Sequence, residues 1–321
     1  MEVSMLRYAV GRIVLTVPVL FGVSLMSFAI IHLIPGDIVS VLAGPTVALD
    51  SEAAQNIRRA LHLDQPLPVQ YGIWLIGALH GDFGNSLVMG LPVGPQIASH
   101  LPVTLVLTAL SLILAIMIGL PGGVVAATTR GRWPDLAIRG VALLGLSTPP
   151  FFVGVATVLL LSIYLPSFKT LGAVDLRHDP LGGLQTLLLP AFVLSLASAT
   201  TIMRYTRVAM LEVLAEPYMA TARAKGAGRL RVLIRHGLRN ALLPVVTAVG
   251  VTAAHLIAGA VVVEQVFGLP GIGQLMLNAI YHRDYTQVQA TVLVITTLVV
   301  LINIMIDLSY YLLDPRIQQH G

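Results

Sequence analysis

The hydrophobic positions of this chain fall into six long runs, at about 13–34, 103–128, 136–165, 184–203, 242–263 and 288–313. A helix needs about 20 apolar residues to cross the hydrocarbon core of a bilayer, and each run reaches that length, with tilt where it exceeds it. The pattern predicts an all-α fold, a polytopic membrane bundle of six transmembrane helices. The first run follows Arg7 and Arg12 and is too long for the apolar core of a cleavable signal peptide, so it reads as a retained anchor. Between the first two runs lies the longest polar stretch, 35–101. Within it Asp50 or Ser51 can cap a helix starting at Glu52, which Pro66 stops, with Ile57, Ala60, Leu61 and Leu63 at near-helical spacing. A second short helix is expected over 69–79, with Tyr71, Trp74 and Leu75 on one stripe. These rings fit equally a membrane interface and a contact with the bundle.

Composition narrows the class further. The hydrophobic fraction is 56% and charged residues are 11%, and the mean hydropathy of +0.86 is far from the balance of a water-soluble domain. With no cysteine, the chain offers neither a disulfide framework nor thiolate metal ligands. Breakers fall inside the runs, at Pro18, Pro121-Gly122-Gly123, Pro149-Pro150, Pro190 and Pro244. A bundle tolerates them where neighbouring helices satisfy the freed backbone groups, so kinks are expected. Small residues at Gly250, Ala253, Ala254, Ala258, Gly259 and Ala260 would let another helix approach closely.

The net charge of +4 raises the question of nucleic acid, but the positions of the charges answer it. Arg7, Arg12, Arg130, Arg132, Arg139, Arg204, Arg207, Arg223, Lys225, Arg229, Arg231, Arg235, Arg239 and Arg316 fall on one side of the six-span layout. Only Arg58, Arg59, Lys169, Arg177 and Arg283 remain for the other. This asymmetry follows the positive-inside rule and places both termini in the cytoplasm, with membrane lipid rather than nucleic acid as the charged surface. The chain divides into 1–101, the first membrane helix with its translocated loop, and 102–321, a core of five helices carrying a cytosolic loop at about 204–241.

That loop carries the most information. It runs Glu212-Val-Leu-Ala-Glu216-Pro-Tyr218-Met-Ala220-Thr221-Ala222-Arg223-Ala224-Lys225-Gly226-Ala-Gly228-Arg229 and continues through Arg235 and Arg239 to Asn240 and Pro244. The pattern is helix, glycine turn, helix. Ala220, Ala222 and Ala224 give the first helix a slim surface, Gly226 and Gly228 permit the positive φ of a tight reversal, and Pro244 marks the return to the membrane. Attraction to anionic lipid would explain the eight basic residues from Arg204 to Arg239, but not a slim face that fits a partner's groove.

Here the sequence resembles the dipeptide, oligopeptide and nickel family of ABC importer permeases. The resemblance rests on Thr221-Ala-Arg-Ala-Lys-Gly226 and Arg235-His-Gly-Leu-Arg-Asn-Ala-Leu-Leu-Pro244, which match the family's cytosolic coupling loop. It extends to Pro35-Gly-Asp37, Leu63-Asp-Gln-Pro-Leu-Pro-Val-Gln-Tyr71, Gly81-Asp-Phe-Gly84, Val263-Glu-Gln-Val-Phe267, Pro270-Gly271 with Gly273, Arg283-Asp284-Tyr285 and Leu313-Asp314-Pro315-Arg316, so it covers nearly the whole chain. Ala220 stands where the general ABC-permease loop has Glu, Glu216 being a weak substitute, and Thr286 stands where Pro is common. The resemblance implies a type I importer fold in a bacterial cytoplasmic membrane. It implies half of a heterodimeric pore for di- or oligopeptides, built with a second related permease, separate ATPase subunits and an extracytoplasmic solute-binding protein. Nickel chelates, glutathione or another small solute would use the same scaffold.

The sequence contains no G-x-x-x-x-G-K-[ST] phosphate loop, so the expectation is that this chain binds no cofactor and that ATP and magnesium sit on the partner subunits. It also lacks H-E-x-x-H and G-x-S-x-G, and no catalytic residue or metal site is expected. An ion-coupled secondary transporter is the alternative from another class, and it would need ionisable groups at mid-membrane. Asp307 and His255 fall within spans, and Glu264 and His32 lie near span ends. Ser147, Thr148, His255 and Glu264 are the candidate residues for a substrate path or gate.

Overall fold

A computed structural model of the chain describes residues 2–33, 51, 55, 58, 63–165, 174, 176 and 178–313. Most of the helix expected from Glu52, the Pro35-Gly-Asp37 motif and the Asp314 to Arg316 segment lie outside them, as does the side chain of His32. The elements are α1 (Glu2–Leu33), α2 (Leu67–Leu79), α3 (Val93–Thr128), α4 (Trp133–Ser147), α5 (Pro150–Tyr164), α6 (Pro180–Ala215) and α7 (Pro217–Ala224). They continue with α8 (Arg229–Phe267), whose residues Val232–Leu238 are π-helical, then α9 (Ile272–Tyr281) and α10 (Tyr285–Leu313). Among the described residues there is no β-strand; a single bridge pairs Asn85 with Pro92.

Five of these helices are long and apolar enough to cross a membrane, six if α4 and α5 make one span. The continuous helix expected over 136–165 is instead two helices that meet at 98°. Thr148 and Pro149 each precede a proline, and that position disfavours the α region. Thr148 accordingly sits at φ −98, ψ 119 and Pro149 at φ −61, ψ 138, two extended residues in succession. The other internal prolines, Pro18, Pro121, Pro190 and Pro244, do stay inside helices. At Pro244 the helix is already well under way, α8 having begun at Arg229.

The chain forms two compact units. The first comprises Met1–Ile13, Pro102–Gln274 and Val299–Gly321. In it α8 packs along α6, and two apolar clusters fill the layer: one with Leu107, Leu187, Leu256 and Phe267, the other with Ala115, Ile202, Met210 and Val245. The helices come close because small residues leave room, which in a bilayer replaces the hydrophobic drive between them. A Cβ added at Gly123 would lie 2.5 Å from Thr206 Cβ and 2.6 Å from the Met203 carbonyl oxygen. One at Gly119 would lie 2.6 Å from the Ala199 carbonyl oxygen, so α3 crosses α6 backbone to backbone. Gly250 lies against the Ile306 side chain and Gly259 against that of Leu194, and Ala253 and Ala260 are buried beside them, whereas Ala254 is half-buried and Ala258 exposed.

The second unit comprises Val14–Leu101 and Leu275–Leu298. Tyr71 and Trp74 of α2 lie against Phe28 of α1, with ring centroids 5.4 and 6.1 Å away, and Ser24 Oγ and Tyr71 Oη are 2.7 Å apart. Tyr71 and Trp74 thus pack on α1, one of the two placements the sequence allowed for α2. Further along, Asp284 accepts hydrogen bonds from Ser86 Oγ and, at 3.0 Å, from the Leu87 amide. The preceding Arg283 takes a positive φ of 56.

Candidate functional site

The basic loop between α6 and α8 is built by a short chain of local rules. Glu216 precedes a proline and is extended, at φ −67, ψ 140, which ends α6. Pro217 then opens α7 at a position where its missing N–H costs nothing. Met219 is completely buried, and a Cβ on Gly237 would touch both its methyl and that of Met210 at 3.5 and 3.4 Å. One apolar side chain thus fastens α7 onto the bundle. Asn240 Nδ2 fastens its start by donating to Tyr218 Oη at 2.8 Å and to the His236 carbonyl at 2.9 Å.

The end of α7 is a Schellman motif: the Gly226 amide donates to the Arg223 carbonyl at 3.0 Å and the Ala227 amide to the Ala222 carbonyl at 3.4 Å. Gly226 supplies the left-handed residue, at φ 77. Gly228 does not. It sits at φ −58, ψ 146 as the residue before α8, so the reversal needs one glycine and not two. Glu216, Ala220, Thr221, Arg223, Ala224, Lys225, Gly226 and Gly228 are exposed and Ala222 is half-buried, so Ala220 and Ala224, one turn apart, form the slim outer face. Arg235, Arg239, Asn240 and Pro244 are exposed as well.

A buried ion pair supports the same end of the first unit. Asp135, 1% exposed in the first turn of α4, accepts from Arg207 Nε at 2.8 Å and Nη2 at 3.0 Å, the two-pronged geometry of guanidinium and carboxylate. It also accepts from the Gly131 amide at 3.0 Å and lies 3.4 Å from Arg139 Nε. Arg207 belongs to α6, eight residues before that helix ends, so this pair ties α4 to the helix that carries the loop.

The four candidate path residues do not form one site. Ser147 is exposed, and Thr148, at the α4–α5 break, lines a cavity of about 230 Å³ with Gly145, Val193 and Thr200. Neither His255 nor Glu264 lines it. His255 is exposed on α8 and its Nδ1 is 2.7 Å from the Val251 carbonyl oxygen. Glu264 is fully buried: it accepts from Thr104 Oγ1 at 2.6 Å and from the Gln274 amide at 3.1 Å, while Thr104 Oγ1 itself accepts from the Ile272 amide at 2.9 Å. Glutamate and threonine together satisfy the first-turn amides of α9, and a side chain at Gly271 or Gly273 would collide with the carboxylate.

Comparison with known proteins identifies what this arrangement belongs to. Residues 119–319 match the family described as binding-protein-dependent transport system inner membrane component, and residues 5–108 match its N-terminal companion family. The chain belongs to this permease family. It is 38% identical over 314 residues to the glutathione transport system permease protein GsiC of Escherichia coli strain K12, covering 98% of this chain and 99% of the relative. The same figures hold for GsiC of Shigella dysenteriae serotype 1. Its fold is similar to that of the MetNI methionine ABC transporter in inward-facing conformations, with a TM-score of 0.55 at 21% identity, over 68% of this chain and 96% of that one.

The permease is therefore a multi-pass, non-catalytic inner-membrane component of an ABC importer, working with an ATPase and a substrate-binding protein. The ion-coupled alternative gives way to this assignment, and the structure accounts for the acidic residues that suggested it. Asp307 pairs with Arg12 at 3.3 Å, and Glu264 is occupied by amides and a hydroxyl. Sequence reasoning missed Asp135, Arg207, Thr104 and Met219. Asp135 did carry a signal, as the one acid within the basic stretch from Arg130 to Arg139.

Proposed function

We propose that this permease is one half of a heterodimeric pore, built with a second related permease, that imports short peptides, glutathione among them. The observation that carries the substrate class is the 38% identity, along almost the full length of both chains, to permeases named for glutathione transport. In this reading ATP and magnesium are held by the ATPase partners and α7 docks in a groove on one of them. Ala220 and Ala224 face that partner, and Met219 and Asn240 carry its displacement into α6 and α8. Alternating access then follows as a rocking of packed helices driven by differential binding of the ATPases in their two states.

The substrate is tested by reconstituting the complete transporter with its binding protein and measuring ATP hydrolysis against glutathione, dipeptides, longer peptides and nickel chelates. Stimulation by glutathione or peptides is expected. Stimulation by nickel chelates alone would move the permease to another branch of the family.

Both termini lie in the cytoplasm in this reading, with the loop carrying Arg229 beside them and residue 51 on the far side. The native chain has no cysteine, so single cysteines at Ser51 and Arg229 report without background. An impermeant maleimide applied to intact cells should label the first and spare the second until the membrane is opened. Equal labelling of both from outside would defeat the orientation.

A further inference from the structure

The basic loop borders a cavity that the coupling role does not use. It measures about 520 Å³ and lies where the ends of α3 and α6 meet the start of α8. Its floor is apolar, with Ala127, Leu214, Val232 and Leu233, and its rim carries Arg223 and Arg229. Both arginines are exposed, and neither pairs with a carboxylate among the described residues. A third positive element points to the same place. Gly228, the residue before α8, has no side chain to cap the helix, so the free amides and positive dipole end of a 39-residue helix adjoin the rim residue Arg229.

From this geometry we infer that the cavity is a binding site for one anionic phospholipid, its phosphate held between Arg223, Arg229 and the start of α8 and its acyl chain on the apolar floor. The combination selects an amphiphile. A soluble phosphate would use the rim and leave the floor empty, while an acidic protein surface would meet the rim and gain nothing from a recessed apolar pocket. The lipid would brace the turn at Gly226 from below while leaving the outer face of α7 free. This inference rests on the proposed orientation and coupling only for its consequence in transport, so its test uses neither.

The experiment is native mass spectrometry of the full permease released from nanodiscs of phosphatidylcholine and phosphatidylglycerol, with no ATPase present. One phosphatidylglycerol per chain should survive release. The double variant Arg223→Gln, Arg229→Gln should weaken retention roughly tenfold to thirtyfold, given two basic contacts at a lipid surface. Arg130→Gln with Arg132→Gln, a nearby basic pair outside the cavity, should leave it unchanged. Leu214→Trp, which fills the floor and keeps every charge, should also lower retention. Size-exclusion profiles and an Arg223→Lys, Arg229→Lys pair, expected to retain part of the binding, separate lost folding from lost contact. Equal loss in both glutamine pairs would reduce the effect to diffuse surface attraction and overturn the site. Displacement by millimolar glycerol phosphate, with Leu214→Trp silent, would assign it to a soluble anion and overturn the lipid.

Discussion

Asp135→Ala is expected to lower the stability of the permease by roughly 3 kcal/mol, toward the lower end of what removing one partner of a buried ion pair costs. Asp135 is 1% exposed and takes both prongs of the Arg207 guanidinium, so its loss leaves a positive charge without a counter-ion. Arg207 is 20% exposed, which gives it partial access to water and holds the cost below the maximum. The Gly131 amide loses its acceptor at the same time, in a turn where Gly131 already sits at φ 75. The midpoint of thermal unfolding in detergent should fall by several degrees and the yield of monodisperse protein with it. Arg139→Gln is the control: that side chain is 51% exposed and its pair with Asp135 contributes little, so its midpoint should stay near the unaltered protein. An Asp135→Ala protein that melts with the unaltered one would show that this pair does not hold α4 to α6.

How much of this could be read from the sequence depends on which physical quantity each feature obeys. Membrane crossing obeys summed transfer free energy, which a hydropathy window measures directly, and five of the six expected spans fall on single apolar helices and the third on the bent pair α4 and α5. The direction of the chain does not enter that sum. Residues 136–165 are apolar on both sides of Pro149-Pro150, so the window passes over a 98° bend. The proline pair carried the information, in the rule that a residue before proline avoids the α region, which here applies twice running. The polar first turns of α3, from Val93, were invisible for the converse reason: they are helical but not apolar. The loop was legible as helix, turn and helix, because Pro217 and Gly226 act within a few residues of themselves. Its second glycine misled, since composition shows where positive φ is permitted and not where it is used. Pairs such as Asp135 with Arg207 or Thr104 with Glu264 join positions 72 and 160 residues apart, and no local pattern encodes them.

The glycine turn yields the sharpest expectation about transport. In Gly226→Val the added Cβ meets nothing within 4 Å, so steric crowding from neighbours plays no part. The cost comes from the backbone alone. Gly226 sits at φ 77, where a β-branched residue is strongly disfavoured, at a cost of roughly 1–3 kcal/mol or more. The easiest escape is to give up the Schellman bonds to Arg223 and Ala222, which lets the end of α7 swing while Met219 keeps its start buried. Membrane insertion should be retained, whereas uptake and substrate-stimulated ATP hydrolysis by the assembled transporter should fall about tenfold or more, as a contact worth over 1.4 kcal/mol requires. Gly228→Val tests the same chemistry two residues on and should be close to silent, because φ −58 and ψ 146 suit any side chain and the space is open. Gly226→Asn should fall between them, asparagine being more tolerant of the left-handed region. Neutralising Arg229 and Arg231 should reduce transport less than Gly226→Val, since exposed charges at a rim act mainly on association and lipid attraction. If Gly226→Val transports normally while the arginine variants abolish both uptake and hydrolysis, the loop works as an electrostatic anchor and the mechanical role assigned to α7 fails.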